Sequence, residues 1–239
     1  MSSEIYLWIE DREGKAGYRF WDSLLKYLFP NIVVESKKNS SGLIKAVKDL
    51  ENTRNRYVIV FDNSFDNTQA VMERKLLKQY ADNRENVVLM DIICFEYILL
   101  EFQNLIDWIY APDDEFLKKR AKVISARERL IGAVEKGNMN YKDIKEIVDY
   151  NEHIDEYNVE QLSAKFLFDL TRNTGFEVSK GRIGDCWIKS CCEWKNRMDN
   201  DICGLDYSGR LSVQAKMKSI YEGTCLKKQF HEAGLEATL

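Results

Sequence analysis

The sequence predicts an α/β fold, in which a four-stranded, mainly parallel sheet carries helices on both faces and a helical C-terminal region follows. Two patterns predict it. Over about the first 90 residues, short runs of β-branched and aromatic residues alternate with segments of helical periodicity, and from about residue 92 the periodicity is helical. We therefore divide the chain into an α/β domain over residues 1–102 and a mainly helical, Cys-rich region over residues 103–239.

The four predicted strands cover residues 4–10, 31–36, 57–61 and 86–91, and each is a short apolar run. The first helix has its apolar residues at three- and four-residue spacing, and Pro30 ends it. Ser40 and Ser41 are candidate caps of a second helix that extends through Leu50. Thr68 is a candidate cap of the third helix, which is predicted over residues 68–81.

The C-terminal region predicts several helices. The segment 94–110 is strongly apolar and predicts one helix packed against the edge of the sheet. Further helices are predicted over residues 113–137, 140–150 and 159–173, and the first of these begins with acidic residues and ends at a Gly. Residues 181–230 have no clear periodicity and contain five of the six Cys.

The composition is that of an ordinary soluble globular protein, with 45% hydrophobic and 31% charged residues. No apolar run reaches the roughly 18 residues that span a bilayer, and the N-terminus lacks the basic start and long apolar stretch of a signal peptide. We therefore expect a cytoplasmic protein with no membrane contact, whose Cys form no disulfides. The net charge of −4 argues against binding nucleic acid by bulk charge, but it is compatible with a local basic patch.

Acidic residues follow the predicted strands at the edge where parallel sheets bind ligands. Glu10, Asp62 and Asp91 each stand at the C-terminal end of a predicted strand, and Asp66 lies four positions after Asp62. Asp and Asn also form good turns after strands, which is the simpler explanation for any one of them. Three acidic residues at three strand ends favour a site for a hard cation, because such ions prefer carboxylate oxygens.

Three segments carry a resemblance to a known family. "EGKAGYRFWDSLL" (13–25), "VIVFDNSFDN" (58–67) and "MDIICFEYILLEF" (90–102) resemble, in order and spacing, the motifs of the TOPRIM (topoisomerase–primase) fold in small nucleases of phage defence and of the OLD type. The resemblance covers about residues 4–102. It departs from the family pattern at three positions, where Gly17 and Ser64 replace an Asp and Tyr97 replaces an Asn.

The resemblance implies a metal-dependent nuclease that uses Mg²⁺ or Mn²⁺ to cleave DNA or RNA, as an effector of antiviral defence. It implies that Asp62, Asp66 and Asp91 are metal ligands. The catalytic Glu is either Glu13, by local matching, or Glu10, which directly follows the strand. We favour Glu10, because a strand can aim its carboxylate. Glu10 would then act as general base or as a second metal ligand.

Two other interpretations remain open. A degenerate TOPRIM-like module, in which the acidic residues cap turns and helices, would serve as a sensor or scaffold with a protein partner or a second copy of the chain. A receiver domain of two-component signalling also has an acidic pair after its first strand and an Asp after its third, as in "WIED" and "VIVFD". A receiver domain further needs a Ser or Thr after the fourth strand and a Lys after a fifth, and neither is visible here.

A basic cluster in "LKKRAKVISARER" is a candidate contact for a phosphate backbone. On a helix, Lys118, Lys122 and Arg129 fall on one side, and we expect Arg120 and Arg127 nearby. The predicted nucleic-acid contacts are therefore Lys118, Lys122, Arg127 and Arg129. The simpler explanation is a solvated helix face, which is what most charged runs form.

Four Cys lie close together in the sequence, at positions 186, 191, 192 and 203. Four thiolates would satisfy a tetrahedral zinc ion, but the usual pair of CxxC motifs is absent. Free Cys is also among the most buried residue types. We therefore predict that Cys186, Cys191, Cys192 and Cys203 belong to a helical core and do not share a zinc ion.

Overall fold

Four parallel strands form the central sheet of the protein. The structure is a computed structural model, and it describes residues 3–63, 65, 67–138, 140–150, 158–179 and 181–238. The strands are β1 (Ile5–Ile9), β2 (Ile32–Ser36), β3 (Arg56–Val60) and β4 (Val87–Leu89), in the spatial order β2-β1-β3-β4. All three pairings are parallel, which confirms the predicted α/β class.

Three helices connect the strands: α1 (Ala16–Leu28), α2 (Ser40–Lys48) and α3 (Thr68–Asp82). Side chains alternate along each strand, so one face of the sheet carries Leu7 and Val58 and the other carries Trp8 and Ile59. Helices α2 and α3 cover the Trp8 face, whereas α1 packs on the Leu7 face. Both faces are thus buried, as expected for parallel strands.

The rest of the chain is mainly helical and packs on the α1 side of the sheet. Its helices are α4 (Phe95–Glu101), α5 (Leu105–Ile109), α6 (Glu115–Glu135), α7 (Tyr141–Val148), α8 (Val159–Thr171), α9 (Asp185–Ile188), α10 (Leu205–Ser208), α11 (Val213–Glu222) and α12 (Leu226–Glu232). A short antiparallel hairpin, β5 (Val178–Ser179) and β6 (Arg182–Ile183), lies between α8 and α9. None of the described helices is long and apolar enough to cross a membrane.

The last helix ties the C-terminal region to the first. The ring of Phe230 in α12 stacks on Phe29 at a centroid distance of 4.4 Å and also lies near Trp21 of α1. The Gln229 side chain accepts a hydrogen bond of 2.7 Å from the backbone N–H of Asp91, just beyond β4. These contacts fix the end of β4 relative to α1.

Two helix caps differ from the predicted ones. Asn39, rather than Ser40 or Ser41, caps α2 by accepting a hydrogen bond from the backbone N–H of Gly42. Asn67, rather than Thr68, caps α3. In both cases an Asn stands one position earlier, and its short amide reaches the free N–H groups of the first turn. Ser40 is thereby left to bond elsewhere.

The predicted single helix over residues 94–110 is wrong, because α4 ends at Glu101 and α5 begins at Leu105. A side chain of α6 bonds to this junction. Arg127 is 7% exposed, and its guanidinium donates to the carbonyls of Leu100 (2.6 Å) and Phe102 (2.9 Å). These bonds satisfy carbonyl groups that a helix end leaves free, and so stabilise the break.

We predict that Arg127→Ala lowers the free energy of unfolding by about 3 kcal/mol, because it removes two buried, charge-assisted hydrogen bonds and takes from the Leu100 carbonyl its donor, while the Phe102 carbonyl keeps the N–H of Leu105. Arg127→Lys should recover only part of this loss, since an ammonium lacks the planar fork that reaches both carbonyls. Urea denaturation measures both variants. The matched control, Lys118→Ala on the exposed face of α6, should stay within about 0.5 kcal/mol of the wild type. Equal midpoints for Arg127→Ala and Lys118→Ala would contradict this role of Arg127.

Candidate functional site

The candidate site lies where the strand order reverses. From β1 the chain crosses to β2 on one side, and from β3 it crosses to β4 on the other. Such a switch point opens a crevice beyond the C-terminal ends of the two central strands, and ligands of open α/β sheets bind there. Ile9 pairs with Val60, so Glu10 and Asp11 leave β1 beside the segment in which Asp62 leaves β3.

Glu10 is held in this crevice by hydrogen bonds. The hydroxyl of Ser40 donates to its Oε2 atom at 2.8 Å, and the backbone of Asp62 provides a further hydrogen bond. Burial raises the pKa of Glu10, and the nearby charges of Asp11 and Glu160 add to this effect, while the two hydrogen bonds oppose it. The structure therefore places Glu10 directly against Asp62, as predicted from the strand ends.

Asp62 lies at the centre of a group of carboxylates. Burial raises its pKa well above the usual range, and the charges of Glu10, Glu96, Glu160 and Asp11 raise it further. We call these five residues, Glu10, Asp11, Asp62, Glu96 and Glu160, the acidic crevice. Its members come from the ends of β1 and β3, from α4 and from α8, so the tertiary fold assembles them.

Glu96 and Asp11 are shielded from water on the same side of the sheet. Burial raises the pKa of Glu96 to about 8, with smaller contributions from the charges of Asp11 and Glu160. Burial likewise raises the pKa of Asp11. The Asp11 carboxylate lies against the first turn of α1, where a Cβ on Gly17 would come within 2.0 Å of Asp11 Oδ2. Only glycine at position 17 lets this carboxylate approach the positive end of the helix dipole.

The other predicted site residues lie outside the acidic crevice. Asp91 forms an ion pair with Arg74 at 3.1 Å and accepts a hydrogen bond from Asn63 at 2.9 Å. Arg74 also donates to the carbonyls of Phe61 and Met90, so this group ties together the segments that follow β3 and β4. Glu13 is exposed in the loop before α1. Asp66 and Ser64 lie outside the described residues.

Three members of the acidic crevice were not among the predicted site residues. Asp11 is the second acid of "WIED", and Glu96 lies in the segment that resembles the end of the TOPRIM core, so both had a signal in the sequence. Glu160 had none, because it stands in the first turn of α8 and reaches the site only through the packing of α8 on α4.

The donor chemistry of the acidic crevice suits a hard divalent cation, because its side chains offer carboxylate oxygens that are partly removed from water. Its geometry supplies no finished coordination sphere. Within the described ranges, no group of three or more His, Cys, Asp or Glu side chains is arranged to hold a metal ion. An ion here would have one or two carboxylate ligands, and water and substrate oxygens would complete its shell, as is usual for Mg²⁺.

The predicted basic patch on α6 separates into two faces. Lys118 and Lys122 are exposed, and the Lys122 ammonium lies 5.6 Å from the centre of the Tyr150 ring. Arg129 pairs with Asp149 at 3.9 Å. Arg120 and Arg127, expected nearby, are buried on the opposite face, since they fall about half a turn away at 100° per residue. A phosphate contact of Arg127 would require the loss of its interior hydrogen bonds.

The four clustered Cys are free thiols with different surroundings. Cys186 is wedged against Gly175, where a Cβ would come within 2.3 Å of its Sγ atom, and burial raises the pKa of Cys186 to about 12. Cys192 is exposed and faces Arg197. A fully buried Lys216 donates to the carbonyls of Cys186 and Lys189 and organises this segment. That the four thiols share no zinc ion stays a prediction.

Comparisons with protein-family models, with curated proteins and with solved structures gave no match.

We predict that Glu96→Gln changes the pH dependence of stability. With a folded-state pKa of about 8 and an ordinary value near 4.5 in the unfolded chain, Glu96 binds its proton more tightly when folded. The contribution of Glu96 to the free energy of unfolding is therefore fully present below about pH 4.5 and is lost as the pH rises through 8. In metal-free buffer, the difference in Tm between Glu96→Gln and the wild type should grow in favour of the variant from pH 5 to pH 9.

Glu146→Gln provides the matched control, because Glu146 is an exposed glutamate on helix α7. Its Tm should follow the wild type across the whole pH range. A Glu96→Gln variant whose Tm ran parallel to the wild type from pH 5 to pH 9 would show that the Glu96 carboxyl is not held in the protonated form.

Proposed function

We propose that the acidic crevice binds Mg²⁺ or Mn²⁺ and cleaves phosphodiester bonds of nucleic acid, the activity that the TOPRIM resemblance implies. One observation carries the proposal. Five partly buried carboxylates from four separate elements lie close enough to raise the pKa values of their neighbours. Glu96 also bonds to its own backbone in the first turn of α4, as a capping residue does. Glu10 instead meets the backbone of Asp62 across two strand ends, which turn formation alone does not require.

The arrangement is unfavourable by itself, which is why it points to a cation. Desolvation and like charges both disfavour the ionised form of a carboxyl group. The charges that act most strongly on Asp62 are four other carboxylates, and the half-buried guanidinium of Arg74, which also interacts with Asp62, is bound to Asp91. A bound divalent ion would replace this repulsion by attraction and stabilise the folded chain in proportion to its affinity.

The side chains suggest distinct roles. Asp62 and Glu10 would hold the ion, which supplies Lewis-acid activation of a phosphoryl oxygen and of a water molecule. Ser40 fixes the Glu10 carboxylate in place, so that it is also suited to accept a proton. Glu96, whose pKa burial raises to about 8 in the chain without a cation, would be suited to donate a proton to the leaving oxygen.

A second function, that of a catalytically inactive TOPRIM-like scaffold or sensor, also has support. Asp91, a predicted ligand, is neutralised by Arg74, and Ser64 stands where the family pattern has an acid. In this case the remaining carboxylates would serve the fold or a protein partner, and added metal would have no effect on stability.

We predict that Asp62→Asn abolishes cleavage of DNA and RNA substrates in Mg²⁺ or Mn²⁺. In metal-free buffer at pH 8 its Tm should equal or exceed that of the wild type, because one charge leaves a repulsive group. Metal at about 100 times its Kd should stabilise the wild type by about 2.7 kcal/mol and the variant much less. Thermal melts with and without metal, together with gel assays of cleavage, measure these effects.

The matched control is Asp82→Asn. Asp82 is exposed at the end of α3, and α3 runs back from the edge at which β3 ends, so Asp82 lies away from the acidic crevice. This variant should keep both the metal response and the cleavage activity. The scaffold function is supported instead if metal does not change the Tm of the wild type and Asp62→Asn lowers the free energy of unfolding by about 1 kcal/mol through a lost turn or cap.

A further inference from the structure

A pocket of about 380 Å³ adjoins the acidic crevice and shares two residues with it. Glu96 and Glu160 line the pocket together with Gln161, Ala164, Phe168, Val178 and Ser179. The volume is within the range of about 300–1,000 Å³ that is usual for sites of small ligands. The pocket therefore combines acidic side chains, one amide, one hydroxyl and an apolar surface.

Helix α8 provides one wall with an aromatic ring that faces solvent. Its inner side buries Leu162, Phe166 and Leu170 completely. Glu160, Ala164 and Phe168 follow one another at four-residue spacing and line the pocket. Phe168 is 38% exposed, so a flat ligand can reach its ring.

Strand β5 lines another part of the pocket through Val178 and Ser179, and two cationic side chains belong to or contact the hairpin. Ser179 pairs with Arg182, and directly opposed residues of antiparallel strands project to the same face of the hairpin. The Lys15 ammonium lies over the turn, where a Cβ on Gly181 would be 3.2 Å away. Two cationic side chains thus stand at the hairpin beside an otherwise acidic site.

We propose that this pocket binds one unpaired nucleobase of the substrate, with its ring stacked on Phe168 and its phosphate directed to the acidic crevice. This inference rests on the proposed function and adds that the substrate is single-stranded at the site of cleavage. The amide of Gln161 and the hydroxyl of Ser179 offer both donors and acceptors to the edge of a base. Stacking on an aromatic ring tolerates any base, because every base has a flat face.

The electrostatics of the pocket agree with a neutral, flat ligand. Its lining offers apolar surface from Ala164, Phe168 and Val178 and neutral polar groups from Gln161 and Ser179. A duplex cannot enter a pocket of this size without unpairing a base, which costs a few kcal/mol. We expect that binding of the phosphate needs the cation, whereas binding of the base in the pocket does not.

The test uses uncharged probes in metal-free buffer, so that binding of the base is measured without any contribution from the phosphate. Adenosine and thymidine should shift amide NMR signals of α8 and of the β5–β6 hairpin in a saturable way, and ribose should not. Phe168→Ala should weaken adenosine binding about tenfold, the effect of losing one stacked base. Tyr207→Ala, which truncates an exposed aromatic residue outside this pocket, should bind adenosine like the wild type.

A second experiment tests whether the pocket accepts a nucleotide within a single strand as well as a free nucleoside. A single-stranded oligonucleotide should compete with adenosine in Mg²⁺, and a blunt duplex of the same sequence should compete much less. Equal shifts with ribose and adenosine, an unchanged affinity in Phe168→Ala, or equal competition by the duplex would each overturn the pocket assignment.

Failure of the pocket assignment and failure of the proposed function give different results. A chain that neither responds to metal nor cleaves nucleic acid, but binds adenosine through Phe168, retains a base pocket without the nuclease. A chain that responds to metal and cleaves nucleic acid, but binds adenosine no better than ribose, retains the nuclease without the base pocket.

Discussion

The parallel pairing of β1 with β3 is the constraint on which the rest of the site depends. Because Ile9 lies opposite Val60, the residues that follow both strands leave the sheet at the same edge. The neighbouring strands β2 and β4 and the apolar layers on both faces fix this register. Glu10 and Asp62 are therefore held together by the fold, although their own charges repel.

The repulsion is offset locally as well as by the core. Ser40 donates to Glu10, and the backbone of Asp62 adds a hydrogen bond, so the desolvation of the carboxylate at the end of β1 is offset in part. Asp11 gains from the N-terminal end of α1, which Gly17 keeps accessible. Asp91 is the contrasting case, since its exposed carboxylate is paired with Arg74. The ion pair with Arg74 distinguishes Asp91 from Glu10, whose carboxylate accepts a hydrogen bond from the Ser40 hydroxyl.

The sequence predicts what local pattern and topology determine. Strand alternation predicts the parallel sheet, and the strand ends place Glu10 and Asp62 at its edge. Contacts between distant segments are not encoded in such patterns. Arg127 reaches the break between α4 and α5 from a distant helix, and Glu160 enters the site only because α8 packs on α4. The basic run of α6 differs from the predicted patch at Arg120 and Arg127, because the helical angle of 100° per residue turns both side chains inward.

The charge of the site sets the order in which its ligands can bind. The protein carries a net charge of −4, and the crevice concentrates five carboxylates beside the pocket. A phosphodiester that approaches this edge without a cation meets like charges, which the two cations at the β5–β6 hairpin offset only in part. A nucleobase carries no such charge, and its contact with the apolar surface of Phe168 stabilises its binding even without the cation. If both proposals hold, binding of a nucleic-acid strand is coupled to binding of the metal ion. The cation neutralises the carboxylates that repel the phosphodiester, and the phosphodiester adds oxygen ligands for the cation. Each ligand therefore raises the affinity for the other. The affinity for a single-stranded oligonucleotide should then rise steeply with Mg²⁺, whereas the affinity for adenosine should stay nearly constant.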